Sequence, residues 1–114
     1  MPYFTTGLLD NKTVAGNRPS STLLVEIFNE DISTVAIQIE GFLQNGTTKV
    51  KYIDEFFALT AGSVSQRNYY TPFDAFEFQF FVSSQAVNVF VWGKDLSGKD
   101  TSAYQVDTVE LNLI

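Results

Sequence analysis

Hydrophobic and polar positions alternate most clearly in the stretch from Ala75 to Asp95, AFEFQFFVSSQAVNVFVWGKD. Phenylalanine takes every second position over residues 76–80, and valine does so over residues 87–91. A period of two with β-branched and aromatic residues is typical of strands that bury one face. The small side chains of residues 83–86 suit a turn. The pattern therefore predicts a β-hairpin at the centre of a sandwich.

Similar alternation recurs along the chain and predicts further strands at residues 22–29, 33–43, 49–52, 63–70 and 103–114. Turn signals separate these runs, among them Asn45-Gly46, and residues 54–61 fit either a strand or a single helical turn. The fold class that follows is all-β, a single antiparallel β-sandwich or jelly roll of about seven strands. The predicted core comprises Val25, Ile27, Val35, Ile37, Ile39, Phe76, Phe78, Phe80, Val87, Val89 and Val91.

Composition restricts the chemistry that the chain can perform. Its 114 residues form one domain, and 45% hydrophobic residues exclude a disordered composition. The net charge of −6, with seven Lys and Arg, argues against binding nucleic acids or anionic membranes. The chain has no Cys and no His, which excludes thiol and Ser-His-Asp catalysis. We expect neither an enzyme nor a bound cofactor or metal.

Two sets of oxygen-bearing side chains are candidates for a paired-carboxylate site and for a calcium site. Asp54-Glu55 and Glu30-Asp31 are the acidic doublets that could serve as paired carboxylates, but neighbouring strand residues point to opposite faces and turn residues are solvated. Asp95, Ser97 and Asp100 alternate loosely, without the spacing of a known calcium loop. Solvent-facing or turn-capping roles are the simpler interpretation for both groups.

Aromatic residues and glycosylation patterns give two weaker signals. A sugar-stacking platform could draw on Tyr3, Tyr69, Tyr70, Trp92 and Tyr104, although aromatic residues of a sandwich are more often core or rim residues. The triplets at residues 11–13 and 45–47 match the N-glycosylation pattern, which is frequent by chance.

The amino-terminal residues differ from the rest of the chain. Residues 2–9, PYFTTGLL, are β-prone, and residues 10–21 have the composition of a turn or linker. We therefore divide the chain into an arm (residues 1–21, with donor strand 2–9 and spacer 10–21) and a sandwich (residues 22–114). Strict alternation would direct Tyr3, Thr5, Gly7 and Leu9 to one face of the donor strand, and Phe4, Thr6 and Leu8 to the other.

Such an arm has two possible destinations. It suits donation to an exposed strand edge of a neighbouring copy, a contact that repeats head to tail. Pairing with its own sandwich is equally compatible with the sequence.

From residue 22 onwards the chain resembles small cysteine-poor jelly-roll proteins of spore-forming Firmicutes. The resemblance rests on TLLVEIFNED, STVAIQIEGFL, FQFFVSSQAVNVFVWGKDLSG and VDTVELNLI. With the arm, the chain is similar to core subunits of endospore appendage fibres, closest to the thin F-type. In these fibres an amino-terminal connector docks into the next subunit. The lack of Cys departs from the disulfide-crosslinked appendages and leaves non-covalent strand donation as the bond between subunits.

The resemblance implies a structural subunit of a helical homopolymer on the spore surface. Its implied partners are further copies of itself, with an anchoring protein and a tip protein as additional candidates. The amino terminus lacks the pattern of a secretory signal, so we expect synthesis in the mother-cell cytoplasm. The alternatives are a monomeric surface module that binds carbohydrate or protein, and a jelly-roll protein of a virion or phage.

Overall fold

The computed structural model describes residues 2–110, in which every regular element is a β-strand. None of these residues belongs to a helix long and apolar enough to cross a membrane. The strands are β1 (Pro2–Thr5), β2 (Leu9–Asp10), β3 (Thr22–Asn29), β4 (Val35–Asn45), β5 (Thr48–Leu59), β6 (Val64–Tyr70), β7 (Ala75–Val82), β8 (Val87–Lys94), β9 (Asp100–Tyr104) and β10 (Asp107–Glu110).

The strands form two packed antiparallel sheets. The first has the order β10-β1-β7-β4-β5, with β2 also paired to β7, and the second has the order β6-β3-β8-β9. The predicted all-β, antiparallel sandwich is therefore confirmed.

The core lies between the two sheets and consists of the inward residues of each alternating strand. Strands β3, β4 and β7 bury every second residue, as their sequence patterns predict. Phe76, Phe78 and Phe80 are fully buried, and the rings of Tyr52 and Tyr69 pack against Phe78. All eleven residues of the predicted core are buried.

Residues 75–95 do not form the predicted hairpin. β7 pairs with β1, β2 and β4, whereas β8 pairs with β3 and β9 in the opposite sheet. Residues 83–86 instead carry the chain from one sheet to the other, so that the buried Phe positions of β7 and the buried Val positions of β8 lie on opposite sides of the core. The two apolar faces then meet across the core, which buries more apolar surface than lying side by side in one sheet.

The carboxy-terminal segment is also divided differently from the single strand predicted over residues 103–114. β9 joins β8 in one sheet and β10 joins β1 in the other, so the chain changes sheets at residues 105–106. This crossing explains why Val106 does not match the alternation of the residues that follow it. The predicted strand beyond residue 110 lies outside the described residues.

The segment from residue 48 to residue 59 is one long strand, so the helical-turn interpretation of residues 54–61 is wrong. A register shift at Gly41/Phe42 of β4 adapts this long pair of strands to the core. A Cβ atom at Gly41 would lie 2.8 Å from the Phe78 ring and 2.9 Å from Cβ of Ile53, so this close approach requires glycine.

Candidate functional site at the amino-terminal segment

The amino-terminal segment occupies a slot in its own first sheet. β1 lies between β7 and β10, with Tyr3 opposite Phe81 on one side and Val109 on the other. β2 then pairs with the beginning of β7. Within the described chain, the predicted donor strand therefore takes the intramolecular arrangement that the sequence had left open.

Gly7 breaks the alternation that the sequence predicts for this strand. Its φ of 64° is a left-handed conformation that glycine adopts without steric cost. Tyr3 and Thr5 lie on the outer face, while Thr6 is buried, as strict alternation predicts. Beyond the glycine the faces exchange: Leu8 is 57% exposed and Leu9 packs against the core.

Thr6 fastens the segment where the regular ladder ends. Its backbone N–H donates to the carbonyl of Phe78 at 3.0 Å, and its Oγ1 accepts from the backbone N–H of Phe78 at 3.0 Å. The same hydroxyl donates to the carbonyl of Gly7 at 2.8 Å. The Thr6 hydroxyl thus takes the place of a backbone carbonyl as the acceptor for the N–H of the fully buried Phe78. Because this hydroxyl satisfies that N–H, Thr6 fixes the register of the segment.

Asn11 forms a second fastening and is fully buried. Its Nδ2 donates to the carbonyls of Ser20 at 2.8 Å, Thr71 at 2.9 Å and Phe73 at 3.1 Å, and its Oδ1 accepts from the backbone N–H of Ser20 at 2.8 Å. The hydroxyl of Thr71 also donates to the Ser20 carbonyl. Residues 11 and 20 are therefore clamped together on the sandwich, and the predicted spacer is reduced to the loop of residues 12–19.

This loop contains a tight turn that is strained at one residue. The backbones of Val14 and Asn17 exchange hydrogen bonds of 2.7 and 3.0 Å across Ala15 and Gly16. Gly16 accepts its φ of 80° readily, but the φ of 53° at Ala15 is left-handed and costs about 1–2 kcal/mol in an L-residue. Arg18 ties the end of the loop to Asp74 and to the carbonyl of Asn11.

Glu77 connects the segment electrostatically to the first sheet. Thr5 Oγ1 and Gln79 Nε2 donate to its Oε2 at 2.8 and 3.0 Å, and Lys49 Nζ lies 2.7 Å from its Oε1. Burial of the carboxyl raises its pKa, but the hydrogen bonds from Gln79, Lys49 and Thr5 together outweigh burial. The pKa of Glu77 is therefore below its ordinary value.

The acidic doublets do not form a paired-carboxylate site. Asp54 accepts a hydrogen bond from Gln38 on the outer face, whereas the Glu55 carboxylate lies 2.6 Å from Arg67 of β6. In the turn after β3, Asp31 accepts from Ser84 and from the backbone of Ser33. These carboxylates stabilise the fold locally, as the simpler interpretation holds.

The residues considered for a calcium loop have a local structural role. Oδ1 of Asp95 accepts from the backbone N–H groups of Ser97 and Lys99, which closes the β8–β9 loop. Asp100 lies 4.0 Å from Lys94. Among residues 2–110, no cluster of three or more Asp or Glu side chains could hold a metal ion.

The five aromatic residues considered for a sugar-stacking platform do not lie together. Tyr69 is buried, Tyr104 packs towards the core and Tyr3 stacks on Phe81 of the first sheet. Trp92 and Tyr70 alone lie on the outer face of the second sheet. Of the two glycosylation triplets, the first begins at the fully buried Asn11 and the second at the exposed Asn45.

Sequence reasoning included Thr6 in the donor strand but missed its bonds to Phe78, and it assigned Asn11 to the spacer. Polar side chains usually indicate exposure, so a buried Asn that satisfies backbone groups leaves no periodic signal. No family model, no curated protein and no solved structure matches this chain.

Proposed function

We propose that this chain is a structural subunit that polymerises head to tail by exchange of its amino-terminal strand, forming a fibre on the surface of bacterial endospores. Each copy would insert its donor strand, residues 2–9, into the slot between β7 and β10 of the next copy. The resemblance to endospore appendage subunits supports the biological setting, and the geometry of the slot supports the mode of assembly.

The observation that carries the proposal is the slot itself, in which the amino-terminal strand lies between β7, which is also paired with β4, and the edge strand β10. β1 is hydrogen-bonded to β7 and to β10. A neighbour's strand can make the same contacts, so closed and exchanged forms share these interactions. The difference in free energy between them then arises in the connecting loop and in contacts that form only between copies.

The connecting loop has both the length and the strain that exchange requires. Extended, residues 12–19 would span roughly 26–29 Å. The shortest dimension of the molecule is 20 Å and the longest is 46 Å, so the loop can reach a copy that lies alongside but not one beyond the far end. Opening the turn would also release the left-handed conformation of Ala15.

The exchanged strand would have to supply the strength of the junction without covalent bonds, because the chain has no Cys. Phe4 and Leu9 pack against the core, and each such side chain contributes up to about 1.5–3 kcal/mol when fully buried. Leu8, 57% exposed here, would gain contacts at a junction between copies. Thr6 and Asn11 would define the register in the new partner.

Electron microscopy of the purified chain tests this function. The full-length chain should form filaments, and a variant lacking residues 2–9 should not. Adding a synthetic peptide of residues 2–9 in excess should cap growing ends and shorten the filaments of the intact chain. A peptide of the same composition in scrambled order is the matched control.

Three results would contradict the proposal. Filaments of unchanged form from the deletion variant would exclude strand exchange as the bond between subunits. A full-length chain that stays monomeric at every concentration would favour the surface-binding module, and closed shells would favour the virion protein.

A further inference from the structure

The outer face of the second sheet carries an apolar patch that neither the core nor the amino-terminal segment uses. Leu24 and Phe28 of β3 and Phe90 and Trp92 of β8 lie next to one another on it, and we call these four residues the aromatic face. Phe90 is 48% exposed. Trp92, the only tryptophan of the chain, lies on this surface rather than in the core.

The rings of the aromatic face are held in fixed positions. The indole Nε1 of Trp92 donates to Oε1 of Glu26 on the neighbouring strand at 3.0 Å, which draws the ring across the sheet. Gln66 of β6 donates to the other oxygen of Glu26 at 2.8 Å. Phe28 and Phe90 pack edge to face, with ring centroids 5.5 Å apart. Such a surface is organised before any ligand arrives.

Exposed amides border the aromatic face. Gln66 and Asn68 follow one another along the outer side of β6, and Asn88 precedes Phe90 on β8. β6 and β8 lie on either side of β3, so their backbones are about 9–10 Å apart. One ligand lying across β3 could therefore contact the amides of β6 and the rings of β8 together. The amides of Asn68 and Asn88 each offer two N–H donors and one acceptor to a polyhydroxylated molecule, whereas the Gln66 amide already donates to Glu26.

The charge of this face identifies the class of ligand. The chain carries a net charge of −6, yet the aromatic face and its amides are uncharged. The charged side chains beside them are Glu26, which accepts hydrogen bonds from Trp92 and Gln66, and Lys94 at the end of β8, which lies 4.0 Å from Asp100. A phosphate-rich or cationic ligand would need a cluster of charges of one sign. The combination of aromatic rings, amides and near-neutral charge suits an uncharged ligand with one apolar side and a hydroxylated rim.

We propose that the aromatic face binds a neutral oligosaccharide built of pyranose rings. A pyranose ring in such a chain presents C–H groups to an aromatic ring, while its equatorial hydroxyls point sideways towards the amides. Phe90 and Trp92 are same-face neighbours along β8, and the backbone repeat places their Cα atoms about 6.6–6.8 Å apart. At this spacing the two rings can contact successive sugar units. This inference does not depend on strand exchange, because it concerns the sheet that the amino-terminal segment does not join.

Fluorescence of the single Trp92 reports directly on this face. Titrating the full-length chain with cellohexaose and, separately, with chitohexaose should give a saturable change with at least one of them. The two probes distinguish glucose from N-acetylglucosamine as the repeating unit. Phe90→Ala retains the reporter and should weaken binding about tenfold, or roughly 1.4 kcal/mol.

Matched variants separate binding from folding. Phe56→Ala, on the outer face of the first sheet and 73% exposed, should leave binding unchanged. Asn68→Ala removes an exposed amide with no effect on the rings and should also weaken binding. Circular dichroism verifies that each variant keeps its strand content.

Three outcomes would overturn the proposal. The first is that neither hexasaccharide gives a saturable change in Trp92 fluorescence. The second is a saturable change that neither Phe90→Ala nor Asn68→Ala weakens. The third is a Trp92 spectrum that depends on protein concentration in the absence of sugar. The last outcome would assign this face to contacts between copies of the chain.

Discussion

Replacing Thr6 with valine should weaken the attachment of the amino-terminal segment to β7 by removing one hydroxyl, which accepts from the Phe78 N–H and donates to the Gly7 carbonyl. The two side chains have nearly the same shape, but valine lacks the Oγ1 that accepts from the backbone N–H of Phe78 at 3.0 Å. Because Phe78 is fully buried, its N–H would have no water to replace the lost acceptor. The substitution therefore isolates the contribution of one hydroxyl to the slot.

The magnitude follows from two opposing effects. An unpaired, buried backbone N–H costs about 1–3 kcal/mol, and the added methyl group recovers up to about 0.8 kcal/mol. Thr6→Val should therefore lower the free energy of unfolding by roughly 1–2 kcal/mol. At about 4 °C per kcal/mol for a domain of this size, the midpoint of thermal unfolding should fall by roughly 4–8 °C.

Urea unfolding together with hydrogen exchange at the Phe78 amide measures this effect. Thr6→Ser keeps the hydroxyl and serves as the matched control, so it should lose less stability and retain the protection of the Phe78 amide. The reasoning would be refuted if Thr6→Val left that amide as protected as in the parent chain. It would equally be refuted if the serine variant lost protection to the same extent as the valine variant.

Three further substitutions test separate contacts. Asn11→Ala should lower the free energy of unfolding by roughly 2–4 kcal/mol, because three buried hydrogen bonds and one part-buried one are lost. The exposed Asn45→Ala should have little effect when both variants are compared in thermal melts. Tyr69→Phe should raise the free energy of unfolding, measured in urea, by about 1 kcal/mol, because the buried Tyr69 hydroxyl has no hydrogen-bond partner among the described residues. A lower free energy of unfolding would show that the hydroxyl does have a partner. Hydrogen bonds keep the pKa of folded Glu77 below its ordinary 4.5, so its stabilisation is complete above that value and is lost as the pH falls through the folded pKa. The melting temperature of Glu77→Gln should therefore fall less than that of the parent chain when the pH is lowered below about 4.5. If both chains show the same pH profile, Glu77 does not contribute to the pH dependence of stability.

The sequence predicted the fold class and the core because both depend on alternation, which side-chain chemistry reveals directly. Phe76, Phe78 and Phe80 are buried as the period of two indicates. The pairing of strands was less accessible. One-sided apolar strands joined by a short turn can pair with each other or face each other across a core, and the alternation is the same in both cases.

The amino-terminal segment illustrates a second limit. Its β-propensity was visible, but the exchange of faces at Gly7 depends on a backbone conformation that glycine permits and does not require. Thr6 bonds to the backbone of Phe78, 72 positions away, and Asn11 joins the backbone of Ser20 to that of Thr71, 60 positions away. Alternation within a segment carries no information about such distant partners.

A disulfide between β1 and β7 provides the most direct test of strand exchange. Tyr3 and Phe81 lie opposite each other in the antiparallel pair, where Cα atoms are about 4.5–5.5 Å apart, within the range that a disulfide spans. In a chain without other cysteines, Tyr3→Cys combined with Phe81→Cys places the two thiols opposite each other in the β1–β7 register, whereas each single variant can only link two copies through the same residue and so yields at most a dimer. After assembly and oxidation, denaturing non-reducing electrophoresis should show a ladder of covalent oligomers if each copy donates its strand to the next. A bridge found solely within monomers would contradict the exchange.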